Sequence, residues 1–156
     1  MLIILEGCDG TGKTTLAKLL SRVMDAEIIH CTTQTPNTFS FFESIVYASR
    51  EKNIIVDRFC YGQYVYQDEF DRPMSYMTLG EFTDNERPVE DSWEALTRLE
   101  LMMINYGVKL IYVTADTDTI YKRLAFRGET ADVEDILAKY EALWKRTLIQ
   151  PIYFST

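Results

Sequence analysis

The sequence predicts an α/β fold, with a parallel sheet of about five strands between two layers of helices. Three observations carry this expectation. Short apolar runs alternate along the chain with stretches of helical spacing. The first run leads straight into a glycine-rich turn, Gly7-Cys8-Asp9-Gly10-Thr11-Gly12-Lys13-Thr14, and from there into a helix. The 156 residues suffice for one domain with a real core and are too few for two, so 1–156 reads as a single domain.

Leu2–Glu6 is an apolar run bounded by glycine and reads as a buried strand; from Gly12 to about Met24, Leu16, Ala17, Leu19, Leu20 and Val23 recur at helical spacing. Ala26–His30 is a second short strand, followed by a polar turn over Thr32–Asn37 that contains Pro36. Phe39–Arg50 reads as a helix on Phe41, Phe42, Ile45, Val46 and Ala48, and Asn53–Asp57 as the third strand. Tyr61–Gln67 reads as a short helix, and the acidic stretch Asp68–Pro88, with Pro73, Gly80 and Pro88, as an irregular excursion. In Asp91–Tyr106, Trp93, Leu96, Leu99, Met102 and Met103 form one helical stripe that reads as core, and Gly107 stops the helix. Val108–Thr114 is the fourth strand, Thr117–Arg127 and Asp132–Lys145 are helices separated by Gly128, and Pro151–Phe154 is a candidate fifth, edge strand. Strands alternating with helices imply parallel pairing through crossovers.

Composition narrows the class. Hydrophobic residues make up 47 % of the chain and aromatics 13 %, as in an ordinary globular protein. No apolar run approaches the roughly 18 residues of a membrane span. The apolar run near the N-terminus runs directly into the glycine-rich turn and makes no signal peptide, so a cytoplasmic protein is expected. The net charge of −8 argues against broad electrostatic binding to nucleic acid. Cys8, Cys31 and Cys60 are odd in number and far apart, which suggests neither a disulfide framework nor a zinc site. Each follows a strand, at the edge where open parallel sheets bind ligands. Cys8 also opens a loop rich in N–H donors, which favours a thiolate.

The glycine-rich turn fits G-x-x-x-x-G-K-[ST], a pattern expected by chance in roughly 0.5 % of chains of this length. Its chemistry follows from its parts. Gly7, Gly10 and Gly12 let backbone N–H groups, including those of Asp9, Thr11 and Thr15, converge on one anion at a helix N-terminus. Lys13 would reach the β- and γ-phosphates of a nucleotide, and the Thr14 hydroxyl would ligate Mg²⁺. Asp57, at the end of an apolar strand, stands where a second Mg²⁺ partner is needed, and Arg58 beside it suits a second phosphate, bound bidentately. Arg123 and Arg127 are four apart on one helix face, just before Gly128-Glu129, and could close over transferring phosphates. His30, the only histidine, reads as a packed or rim residue rather than a base.

These residues resemble the thymidylate kinase family. Glu6 through Thr15 is similar to its E-G-x-D-G-x-G-K-T-T, Asp57-Arg58-Phe59 to its D-R-[YF], Tyr66-Gln67 to the end of its A-Y-Q, and Lys122-Arg123 through Arg127-Gly128-Glu129 to its lid, K-R-x-x-x-R-G-E. The compact length looks most like the short, phage-encoded members. The resemblance implies a three-layer P-loop kinase fold with strand order 2-3-1-4-5 and a lid over about 123–134. It implies ATP and Mg²⁺ as cofactors. By position, Asp9 would contact the sugar 3′-hydroxyl, Arg58 the acceptor phosphate, Tyr66 the sugar, and Gln63 the base. The loop itself holds no arginine, so the catalytic arginine would come from the lid, Arg127 first and Arg123 second. The chain departs from the family after strand 2, where it reads Cys31-Thr32-Thr33-Gln34-Thr35-Pro36. It departs again at Ala125 in the lid, at Ala131-Asp132-Val133-Glu134, and in the 68–88 excursion.

The resulting expectation is ATP-dependent phosphorylation of a deoxynucleoside monophosphate, dTMP or a modified dUMP, catalysed by Lys13, Arg58, Arg127, Arg123 and Asp57. Two other readings stay open. One is a kinase acting on a modified pyrimidine within DNA, marked by a basic strip such as Arg72, Arg87 and Arg98. The other is a non-catalytic nucleotide-binding module, which would lack an acceptor pocket. A homodimer is compatible with either.

Overall fold

Burial on both faces of the central strands explains the sheet. In the computed structural model, which describes residues 1–32, 34–36, 38–66 and 89–156 (at 89–92 the backbone only), the strands are β1 Leu2–Glu6, β2 Glu27–His30, β3 Ile54–Asp57, β4 Lys109–Thr114 and β5 Ile152–Ser155. The helices are α1 Lys13–Met24, α2 Phe39–Ala48, α3 Tyr61–Tyr66, α4 Val89–Asn105, α5 Thr117–Phe126 and α6 Val133–Trp144. The boundaries lie within two residues of those read from the sequence. All four strand pairs are parallel and the order is β2-β3-β1-β4-β5, as the resemblance implied. Gln67 and the 68–88 excursion, with Arg72 and Arg87, lie outside the described residues.

On one face of the sheet Leu2, Ile4, Ile54, Val56, Leu110 and Tyr112 join a large core with α2, α3, α4, α5 and α6. On the other, Ile3, Leu5, Ile55 and Val113 pack against Ala17 of α1. Strands buried on both faces read as unbroken apolar runs, which is why Leu2–Glu6 and Ile54–Asp57 were visible in the sequence. The stripe on α4 is core as expected: Leu96, Leu99 and Met103 are fully buried. Among the described residues no helix is long and apolar enough to cross a membrane.

Parallel register brings the working ends of the strands together. Leu5 pairs with Asp57, His30 with Asp57, and Glu6 with Tyr112, so the loops after β1, β2 and β3 leave the same edge.

Candidate active site

The loop after β1 is fixed from beneath. Gly7 has φ 143°, and a methyl there would lie 2.2 Å from the Val113 carbonyl oxygen of β4. Thr11 is buried and its Oγ1 donates to the Cys8 carbonyl at 2.8 Å. Gly12 caps α1 with no side-chain hydrogen bond, and the first turn of α1 holds no acid. The N–H groups of that turn are therefore left for a ligand, and the helix dipole favours an anion there. Thr15 is exposed at that end.

Lys13 is buried, and its Nζ donates to the Gly7 and Cys8 carbonyls, each at 2.7 Å. Burial lowers its pKa, while Asp9, 3.9 Å away, works to raise it. Thr14 Oγ1 donates to Asp57 Oδ2 at 2.6 Å. Asp57 Oδ1 is buried with no partner among the described residues. A hydroxyl and an orphaned carboxylate oxygen are the hard donors Mg²⁺ takes, and it keeps its other positions for water and phosphate. Thr14 and Asp57 thus fit that ion. Among the described residues no group of three His, Cys, Asp or Glu side chains could hold a metal alone.

Arg58 takes a left-handed backbone, φ 69°, and turns its guanidinium onto the Asp9 carboxylate. Both side chains are about two-fifths exposed, 41 % and 38 %. Burial raises the pKa of the Tyr66 hydroxyl, and its ring meets Tyr140 edge-on at 6.4 Å. Asp9 therefore gathers Lys13 and Arg58 around one point. Gln63, on the same α3 turn, carries a buried Oε1 with no partner among the described residues.

The two arginines expected in a lid separate. Arg123 Nη1 donates to the Gly10 carbonyl at 3.1 Å and to Thr156 Oγ1 at 2.9 Å. Thr156 Oγ1 in turn reaches the Thr11 carbonyl at 3.0 Å. Arg127, at the C-cap of α5, pairs at 3.0 Å with Glu129 in a half-exposed ion pair. Six residues, 127–132, link α5 to α6 in the segment expected as the lid. Arg98 of the supposed basic strip pairs with Glu94 at 2.5 Å.

Three contacts were not foreseen. Glu6 is fully buried and its Oε1 accepts the N–H groups of Phe59 at 2.8 Å and Gly62 at 3.4 Å, while Oε2 accepts the Tyr140 hydroxyl at 3.2 Å. Burial raises the Glu6 carboxyl above its ordinary value, against the Phe59 N–H, Lys13 and Tyr140. Glu6 thereby ties the end of β1 to the start of α3 and to α6. An acid at the end of an apolar strand was the available signal. The second is Tyr140 itself, on α6, whose hydroxyl also lies 3.4 Å from the Gly7 carbonyl. The third is His30, whose Nδ1 lies 3.1 Å from Asp57 Oδ2.

The cysteines correct an expectation. They do end strands at this edge, but Cys8, Cys31 and Cys60 all lie within the large core. Burial pushes the Cys31 thiol up to about 12 and the Cys60 thiol well above its usual value.

A glycine-rich loop feeding a helix, on a parallel sheet ordered 2-3-1-4-5 with helices on both sides, defines a P-loop kinase fold. The chain belongs to the family of YorR, an SPβ prophage-derived protein of Bacillus subtilis. It is 32 % identical to it over 146 residues, which cover 89 % of this chain and 79 % of YorR. No family model matches the chain. The crystal structure of YorR in complex with phosphorylated GDP matches with a TM-score of 0.73 at 27 % identity, over 99 % of this chain and 85 % of that one. A deoxyadenosine kinase from M. mycoides with bound dCTP matches with a TM-score of 0.52 at 19 % identity, over 100 % of this chain and 89 % of that one, a likeness of fold.

Proposed function

We propose that the protein transfers the γ-phosphoryl group of ATP onto a deoxynucleoside monophosphate, dTMP or a modified dUMP. The observation that carries this reading is the meeting of Lys13 and Arg58 at Asp9, which sets two phosphate-binding cations at one point. A nucleotide-binding module without an acceptor would need only the first.

In this reading the ATP phosphates occupy the N–H groups of the loop, and Lys13 exchanges its two carbonyl acceptors for the β- and γ-phosphate oxygens. Thr14 and Asp57 would hold Mg²⁺, which neutralises phosphoryl charge when bound. Arg58 leaves Asp9 for the acceptor phosphate, and Asp9, so released, accepts the sugar 3′-hydroxyl. Tyr66 presses on C2′ and disfavours a ribose hydroxyl. The open Gln63 Oε1 takes an N–H from the base edge. Arg127 turns inward as charge develops. Its exposed pair with Glu129 is worth about 0–1 kcal/mol, so the cost of release is small. Such catalysis is positioning and charge neutralisation, and it needs no nucleophile from the protein. The complex of YorR with phosphorylated GDP supports a nucleotide ligand for this chain and brings guanine nucleotides into the assay.

The test is a panel of all nucleoside monophosphates, with single- and double-stranded DNA, incubated with Mg²⁺ and either ATP or GTP. Diphosphate formed from dTMP or a 5-substituted dUMP is expected. Tight nucleotide binding with no acceptor phosphorylated would overturn the kinase reading, and labelled DNA would overturn the free-nucleotide acceptor.

A further inference from the structure

His30 sits in register with Asp57 across the β2–β3 ladder, so the two side chains stand side by side at the ligand edge. Its Nδ1 is 3.1 Å from Asp57 Oδ2, the same oxygen that accepts the Thr14 hydroxyl at 2.6 Å. A carboxylate only accepts, so the proton of this bond belongs to the imidazole Nδ1. Oδ2 thus receives two donors, while Oδ1 is buried and receives none among the described residues. The asymmetry matters because the terminal carboxylate torsion of an aspartate is broad and close to two-fold. With Thr14 as the sole donor, the carboxylate could rotate about that one bond. Two donors converging from β2 and from α1 fix its plane.

We propose that His30 is a positioning residue for the metal-holding carboxylate, which it locks through Oδ2 so that Oδ1 alone is presented to the ion or its water. This rests on the reading that Thr14 and Asp57 hold Mg²⁺. The arrangement survives occupation of the site. A Thr14 oxygen that gives a lone pair to the ion keeps its proton directed at Oδ2, where His30 also donates. The imidazole is 49 % exposed and the Asp57 carboxylate 1 %, so His30 contributes little to the core and can be changed without opening it. Groups that orient a ligating side chain affect metal affinity by roughly 10- to 100-fold.

The experiment measures the dissociation constant of ATP with Mg²⁺ and again with EDTA, for the wild type, His30→Leu and His30→Asn. The amide nitrogen of asparagine hangs on Cγ, as the imidazole Nδ1 does, and can donate along the same line; leucine fills similar space with no donor. In the wild type Mg²⁺ should tighten ATP binding. In His30→Leu that metal-dependent gain should shrink by about tenfold or more, with the EDTA constant and the thermal midpoint unchanged. His30→Asn should restore most of the gain. A His30→Leu protein with the full wild-type gain overturns the proposal and leaves the kinase reading standing. So does a loss that appears equally with EDTA, since that marks a general structural effect. A wild type that binds ATP equally well with and without Mg²⁺ overturns the metal assignment and the proposal with it.

Discussion

Gly7→Ala is the most informative single change in the loop. The new methyl would sit 2.2 Å from the Val113 carbonyl oxygen and 3.2 Å from its carbon. The first separation is about 1 Å short of van der Waals contact. Val113 cannot yield. It is fully buried, and β4 is held on both sides, by β1 through Glu6–Tyr112 and by β5 through Val113–Phe154. The displacement must fall on the loop itself. Overpacking costs about 1–3 kcal/mol, and holding a non-glycine residue at φ 143° adds about 1–3 kcal/mol. Together these are a large share of a stability of roughly 5–15 kcal/mol. Gly107→Ala is the control. Gly107 has φ 66° with no atom within 4 Å of the added methyl, so it carries only the left-handed penalty of about 1–2 kcal/mol. Urea unfolding of both variants, with ATP affinity measured on each, separates the two costs. Gly107→Ala should lose about 1 kcal/mol and bind ATP normally. Gly7→Ala should lose at least twice that, or keep its stability by shifting the loop about 1 Å at a cost near 10²-fold in turnover. A Gly7→Ala protein as stable as the control, with wild-type ATP binding and turnover, would refute the reasoning.

Arg58→Ala should chiefly raise the acceptor KM, because its charge serves ground and transition states alike. Arg127→Ala should lower kcat by about 10²–10³-fold, as for a charge contact made as charge develops. Steady-state kinetics read the split, and an Arg127→Ala with unaltered kcat removes it from transfer and leaves Arg123. Burial holds the Glu6 proton to higher pH in the folded chain than in the unfolded one. Its stabilising contribution is therefore complete below about pH 4.3 and is lost as pH rises through the folded value. Glu6→Gln should flatten stability against pH in that window by up to about 1.4 kcal/mol per pH unit. Part of the slope should remain through Glu100, also raised by burial; an unchanged slope in urea titrations would show that Glu6 does not titrate this way. Cys8, Cys31 and Cys60 should resist iodoacetamide in the folded protein at pH 8 and react fully in urea, as mass spectrometry would show; rapid labelling of any one in the folded state contradicts its burial.

Most of the sheet could be read along the chain because its strands are short, buried on both faces and bounded by glycine, proline or charge. Even Pro151–Phe154 was visible, although β5 is exposed along its length, because its tyrosine and phenylalanine favour strand. The site was legible where a motif is contiguous, as in Gly7 to Thr14, or lies at a strand end, as in Asp57-Arg58. It was illegible wherever a partner is set by tertiary register. Nothing local says that Glu6 will take N–H groups from Phe59 and Gly62, 53 and 56 residues away. Nothing local says that His30 will stand beside Asp57, which follows from β2 occupying the edge next to β3. The cysteine expectation failed for a related reason. Being at a strand end was read from the chain, but burial at that end depends on what α2, α3 and α6 place over it.

The free protein answers its own charges, and this bears on what it accepts. Lys13 is satisfied by two loop carbonyls, Arg58 by Asp9, Thr14 by Asp57 and Arg127 by Glu129. Binding on the proposed reading is thus an exchange of partners. On the acceptor side the exchange is cheaper, because the half-exposed Arg127–Glu129 pair is worth about 0–1 kcal/mol and the part-buried Arg58–Asp9 pair stays about two-fifths open to water. On the donor side it costs more. Lys13 is buried and must give up two charge-assisted bonds, each worth about 1.5–3 kcal/mol, while the Cys8 carbonyl keeps Thr11 Oγ1 and the Gly7 carbonyl the Tyr140 hydroxyl. Only a ligand that returns charge-assisted bonds to Lys13 and N–H partners to the loop offsets that loss, which a polyphosphate does and a neutral nucleoside does not. Adenosine should therefore fail to compete with ATP at concentrations where ADP competes fully. Comparable inhibition by adenosine and ADP would show that the base, and not the phosphate cradle, dominates binding.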